Sequence, residues 1–127
     1  FLLCYTKAKG GDTMVTNQDC IRDILLLIES NTTPISPVLQ FDTILDNLTY
    51  DKSTIVHHIN LIYQNNLVDD VNYGDDTVLE VMQLSLKGYQ YLDKIRDNTK
   101  WNKIKSSTSS FLNMSLPIAI EYILGKF

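Results

Sequence analysis

Cysteine, glycine and, over most of the chain, positive charge are what this sequence has least of, and each shortage closes off a class of function. Only two cysteines occur in 127 residues, Cys4 and Cys20. They lie in different parts of the chain, which excludes a disulfide framework and a paired-cysteine metal site and points to a reducing compartment. Five scattered glycines cannot build a phosphate-cradling loop. No apolar run approaches the roughly 20 residues that a bilayer-spanning helix needs. Phe1-Leu2-Leu3-Cys4-Tyr5 is too short for a signal-peptide core and follows no basic stretch. The expected location is therefore cytoplasmic, and the glycosylation-type triplets at Asn31, Asn47 and Asn113 are read as chance.

The shortage of positive charge is regional. From Met14 to Ser85 two basic residues, Arg22 and Lys52, stand against eleven acidic ones, a net charge of −9. From Leu86 onward seven basic residues stand against three acidic ones, a net charge of +4. Affinity for DNA comes largely from Lys and Arg neutralising phosphates, so the first region opposes a duplex and the second does not.

What is present is a hydrophobic content of 44%, enough for one globular domain and an appendage. Thr16 or Asn17 can cap a helix with Ile21, Ile24, Leu25 and Ile28 on one face. Turn formers follow at 30–34, and residues 37–41 read as a short edge strand. Asp42 is placed to cap a short helix over 43–48. Ser53 or Thr54 is placed to start a third helix, with Ile55, Ile59 and Ile62 inward and a stop at Asn65-Asn66. Two β-rich runs around Asn72-Tyr73-Gly74-Asp75-Asp76 read as a hairpin. Ser85 caps a further helix through Ile95, Trp101 and Ile104 continue it or begin another, and residues 106–110 form a serine-rich linker. This order predicts an α+β fold, a winged helix-turn-helix over 14–99 with a C-terminal helical extension over 100–127. Residues 1–13 are read as a translated leader, because Lys9-Gly10-Gly11 codons can spell a ribosome-binding sequence just upstream of Met14. The alternative is an ordinary N-terminal arm.

Three segments also resemble a known family. Asp19-Cys20-Ile21-Arg22-Asp23-Ile24-Leu25-Leu26 resembles the opening helix of an uncharacterised phage and prophage family, a domain of unknown function in Gram-positive bacteria. Leu84-Ser85-Leu86-Lys87-Gly88-Tyr89-Gln90-Tyr91-Leu92 is similar to that family's post-hairpin helix, and Ile95-Arg96-Asp97-Asn98-Thr99-Lys100-Trp101-Asn102-Lys103 to its next motif. The likeness runs from about Met14 to the end, extends to the YjcQ-type winged-helix family, and departs at Tyr89, where a histidine is expected. It implies a winged-helix fold and a phage context in a bacterial host, and no mechanism.

No residue pattern calls for catalysis, a metal or a cofactor. His57 and His58 point about 100° apart on a helix and read as an exposed polar face. Asp69-Asp70 and Asp75-Asp76 lack the ligand spacing of a calcium loop and read as solvated turns. Cys20 reads as a buried small hydrophobe, and Trp101 as an anchor between domain and extension, with a cation–π platform as the alternative. The expected function is that of a non-enzymatic phage or prophage accessory protein binding a protein partner, whose surface is His57, Asn60, Leu61 and Gln64 on the third helix together with the hairpin. The alternative is a DNA-binding transcriptional regulator of phage or host genes using a basic patch of Lys87, Lys94, Arg96, Lys100, Lys103 and Lys105. Leu116, Ile120, Ile123 and Phe127 lie on one side of an apolar C-terminal helix expected to mediate self-association. Membrane association is not expected.

Overall fold

The computed structural model of the protein describes residues 15–127; the leader reading of residues 1–13 lies outside them. Asn17 starts the first helix, α1 (Gln18–Asn31), its side-chain oxygen accepting the Cys20 N–H at 3.0 Å. The apolar face of α1 is fully buried: Cys20, Ile21, Ile24, Leu25 and Ile28 each have no exposed surface. Past the turn formers the chain enters β1 (Val38–Gln40) and turns directly into α2 (Phe41–Asn47). Gln40, not Asp42, occupies the N-cap position of α2, and Asp42 sits in its first turn, where a carboxylate complements the helix dipole.

Helix α3 (Lys52–Gln64) begins one residue before the expected serine because Asp51 is its cap, accepting the Thr54 N–H at 3.0 Å. It buries Ile55, Ile59 and Ile62 and ends at Asn65. Asn66 then adopts φ 62°, the left-handed conformation that asparagine tolerates better than most residues. The hairpin consists of β2 (Val71–Tyr73) and β3 (Val78–Met82), extended by an isolated bridge between Val68 and Leu84. β3 is the central strand of a three-stranded antiparallel sheet of order β1-β3-β2. Leu39, Val71, Val78 and Val81 face the core. On the other face Gln40 and Asn72 both donate to the Glu80 carboxylate, at 3.1 and 2.8 Å, a polar row across all three strands.

Ser85 caps α4 (Leu86–Ile95) and Asp97 caps a separate α5 (Asn98–Ser106). A single 3₁₀ turn (Phe111–Asn113) leads to α6 (Leu116–Lys126), so the apolar tail is helical only from Leu116. Among the described residues the protein is thus a mixed α+β structure of six α-helices and one small sheet. One continuous core joins α1, α3 and the sheet to Tyr91, Trp101, Phe111, Leu116 and Ile123. Both sequence segments, before and after Lys100, contribute to it.

Candidate functional site

Three surfaces are singled out by the sequence, and the fold treats them differently. The first lies on α3, where His57, Asn60, Leu61 and Gln64 share one face at spacings of three and four residues. His57 and Asn60 line a hollow of about 520 Å³ between α3 and the β2–β3 turn, together with Lys52, Ser53, Val56, Asp76 and Thr77. The hairpin is held against the helix by Tyr73, whose hydroxyl donates to Asn60 Oδ1 at 2.7 Å and whose ring lies 6.3 Å from that of Tyr63. Leu61 is half-buried against the core and Gln64 is exposed. A second hollow, of about 350 Å³, lies between α2 and β3. It shares Lys52 and Thr77 with the first, so the two meet there. Leu45 and Leu79 give it apolar walls, and Asp42 and Glu80 are its acidic residues. The sequence marked the hairpin as part of the surface but did not single out Tyr73, Asp76 or Thr77 within it, because the docking of the hairpin on α3 is tertiary.

His58 is not on the exposed polar face expected of it. Only 1% of its surface is exposed, and its ring makes an edge-on contact with His57 at 5.2 Å. The Asn17 backbone N–H donates to Nε2 at 2.8 Å, while Nδ1 lies 2.7 Å from the Thr54 carbonyl. A carbonyl only accepts, so Nδ1 carries the proton and the ring is neutral. Burial, reinforced by His57, holds its pKa below the ordinary histidine value against the opposing pull of the Thr54 carbonyl. His58 therefore ties the start of α1 to α3 and is unavailable to a partner.

The second surface is the basic patch. Arg96 is paired with both Glu29 and Asp93, and Lys105 with Asp19 at 3.1 Å. The structure brings Lys94, Lys100 and Lys103 together around a small hollow of about 120 Å³ floored by Ile104 and Phe127. Lys94 also donates to the Phe127 carbonyl at 2.9 Å. Lys87 stands apart from that hollow, near the start of α4. Trp101 is 3% exposed and donates to Asp19 at 2.7 Å. It packs edge-on to Phe111 at 5.7 Å, with Arg22 and Lys105 within 5.7 Å of its ring. It is an anchor of the fold that also takes cation–π contacts, and its ring is not open to a stacking base.

The third surface is α6. Leu116, Ile120 and Ile123 are at most 3% exposed and belong to the protomer's own core, whereas Phe127 remains 41% exposed. The apolar area left on this helix is that of Ile118, Leu124 and Phe127.

One residue matters more than the sequence indicated. Arg22 is nearly buried, and its guanidinium donates to the carbonyls of Ile95 and Arg96 and to Asn98 Oδ1, each at 2.7 Å. It joins the end of α4 and the start of α5 to α1, so its charge serves the interior. Cys20 is buried as expected, and burial, with Asp23 and Asp51 nearby, pushes its thiol up to about 12, which makes it a packing residue.

An α1-β1-α2-α3 core with a hairpin on α3, α4 and α5 against α1, and α6 against α4 is the class of architecture present. Residues 16–112 match the family described as hypothetical protein (DUF2513), and the chain belongs to that family. An uncharacterized protein of Haemophilus influenzae is 33% identical to it over 113 residues, 87% of this chain and 89% of the relative. Relatives thus extend beyond the Gram-positive bacteria that the resemblance had suggested. No solved structure matches the chain. No helix among the described residues is long and apolar enough to cross a membrane.

Proposed function

We propose that this protein is a winged helix-turn-helix module that works in the bacterial cytoplasm as a non-enzymatic accessory protein, of phage or prophage character, binding a protein partner. The order helix, strand, helix, helix, hairpin with a β1-β3-β2 sheet supports the winged-helix reading, with α3 in the recognition position and the β2–β3 hairpin as the wing. The phage character rests on the resemblance of the Asp19–Leu26 and Ile95–Lys103 segments.

The observation that carries the binding reading is the electrostatic state of the segment that forms β1, α2, α3 and the hairpin. Between Val38 and Ser85 there are eight carboxylates and one lysine. None of the ion pairs among the described residues involves any of them. Asp51 and Asp69 accept from neutral groups, as Glu80 does. A region of strong net negative charge around a formed hollow repels phosphate and attracts a complementary protein surface. A photo-crosslinker placed at Gln64 should capture a protein from bacterial lysate, and the same group at Ile35, which is 97% exposed away from the hollow, should not. Equal capture at both positions would sink the reading.

Two observations favour a second reading, a DNA-binding regulator. Lys94, Lys100 and Lys103 converge, and Asn60 keeps its amide NH₂ free to donate while its oxygen is bound by Tyr73. Selection from fragmented phage DNA decides between them: one enriched site whose binding needs Asn60 and Gln64 establishes the regulator.

A further inference from the structure

We infer that the occupant of the two joined hollows is a lysine- or arginine-rich segment of the protein partner, laid from the α3–hairpin hollow across Lys52 and Thr77 to the α2–β3 hollow. This rests on the protein-binding reading and adds the chemistry of the ligand. The hollows combine an apolar lining with acidic residues: Val56, Leu45 and Leu79 provide the former, Asp76, Asp42 and Glu80 the latter. Leu79 is 55% exposed, an apolar side chain on the central strand left open to solvent. A lysine or arginine side chain has the same division, an aliphatic stem that gains from apolar contact and a cationic head that gains from a carboxylate. A wholly apolar segment would desolvate Asp42, Asp76 and Glu80 without compensation, and an acidic one would be repelled.

One feature sharpens the fit. Among the described residues Lys52 is the single lysine or arginine that lines either hollow. It opposes a basic residue at that point, so the segment carries an acidic or neutral residue opposite the junction, with basic residues to either side. The acidic groups among the described residues do not gather into a metal-binding cluster, so a side chain reaching across them, rather than an ion, matches their spread.

The test uses the full chain and a labelled decapeptide of alternating lysine and alanine, compared with its glutamate-for-lysine counterpart, by fluorescence anisotropy at low salt. The lysine peptide should bind and the glutamate peptide should not, and binding should weaken as salt screens the exposed charges. Asp42→Asn with Asp76→Asn should weaken it roughly fivefold, and Lys52→Glu should tighten it roughly threefold, as expected for a few partly exposed pairs. Both altered aspartates are exposed and cap no helix, so the fold is expected to survive, and far-ultraviolet circular dichroism checks this. Glu121→Gln on α6 should change nothing. Equal binding of the two peptides, or lysine-peptide binding indifferent to both groove variants, overturns the inference. Light scattering that shows self-association lost in the Asp42→Asn/Asp76→Asn variant overturns it in favour of a second copy, whose own basic segment would then be the occupant. Random duplex DNA bound by the wild type and released by Lys52→Glu overturns it in favour of nucleic acid. If the peptide arm fails while the Gln64 crosslinker still captures a protein, the inference falls and the protein-binding reading stands.

Discussion

Gly88 lies where α4 crosses the chain leaving α3, and a methyl group there would meet the Leu67 carbonyl oxygen at 2.0 Å. That carbonyl also accepts the Ser85 N–H at 3.0 Å, so it cannot retreat without breaking the turn that starts α4. Gly88→Ala should therefore cost about 3 kcal/mol by overpacking, against the small gain alanine normally brings to a helix; urea denaturation measures it, and a neutral or stabilising result would refute the close approach. His58 predicts a pH dependence. Its folded pKa lies below the ordinary value of 6.5, so the unfolded chain takes up a proton first as pH falls. The neutral ring contributes fully above about pH 6.5, and stability declines with acidification below that until the folded ring also protonates. Protonation also ends acceptance by Nε2 from the Asn17 N–H. The stability difference between wild type and His58→Gln should shrink between about pH 7 and pH 5, and a difference flat across that range would contradict the neutral buried ring.

At the scale of elements, the junction of α4 and α5 depends on α1 through one side chain. Arg22 supplies three donors in a fork to Ile95, Arg96 and Asn98. Lysine carries a compact ammonium that cannot reproduce that geometry. Arg22→Lys should lower stability by about 2 kcal/mol, the value of a charge-assisted bond to groups left buried, and should loosen the start of α5, read as faster amide exchange there. An unchanged exchange pattern would show that Asp97 capping alone sets the junction. The tail is a larger commitment. Phe111, Leu116, Ile120 and Ile123 are all in the core, and at about 2 kcal/mol each their burial contributes roughly 8 kcal/mol, comparable with the whole stability of an ordinary domain. A chain ending at Ser110 should therefore fail to fold. A folded, cooperative truncation would mean that α6 is peripheral after all.

At the scale of the molecule, the shared core predicts a single unfolding transition. Trp101 is the sole tryptophan and lies where α1, α5 and Phe111 meet. Its fluorescence should change at the same urea midpoint as the helical circular dichroism signal; two separated midpoints would show that the segments before and after Lys100 unfold independently. The charge distribution is also divided in space. The ion pairs among the described residues join Arg96 and Lys105 to α1 and α4 carboxylates, so the excess of acid stays concentrated on the sheet, α2 and α3. Random-sequence DNA at about 50 mM salt should then bind no better than the weak end of the usual 10⁻⁴ to 10⁻⁶ M range. Any residual binding should depend on Lys100 and Lys103, not on His57, Asn60 and Gln64.

The order of elements was legible by itself, because helix stripes, caps and turn residues are local signals: Asn17, Ser85, the Asn65-Asn66 stop and the turn after Tyr73 all lie where local chemistry puts them. So was the charge asymmetry, a property of composition. Local signals also placed Cys20 and the inward face of α3 in the core. They misplaced His58, because a histidine on a helix is polar until a particular backbone N–H, 41 residues away, is brought to its ring. They gave Arg22 no role beyond its charge, because its partners lie 73 to 76 residues on. The apolar stripe of α6 was plain, but periodicity says that a face is buried and not against what; docking on the protomer's own core decided that for Leu116, Ile120 and Ile123. The candidate site divides in the same way. The stripe of His57, Asn60, Leu61 and Gln64 follows from helical spacing, whereas the hollows exist only because the hairpin folds back onto α3 and β1 brings α2 beside β3. A concave surface is made by elements distant in sequence, so only the tertiary structure decides where it is and which carboxylates edge it.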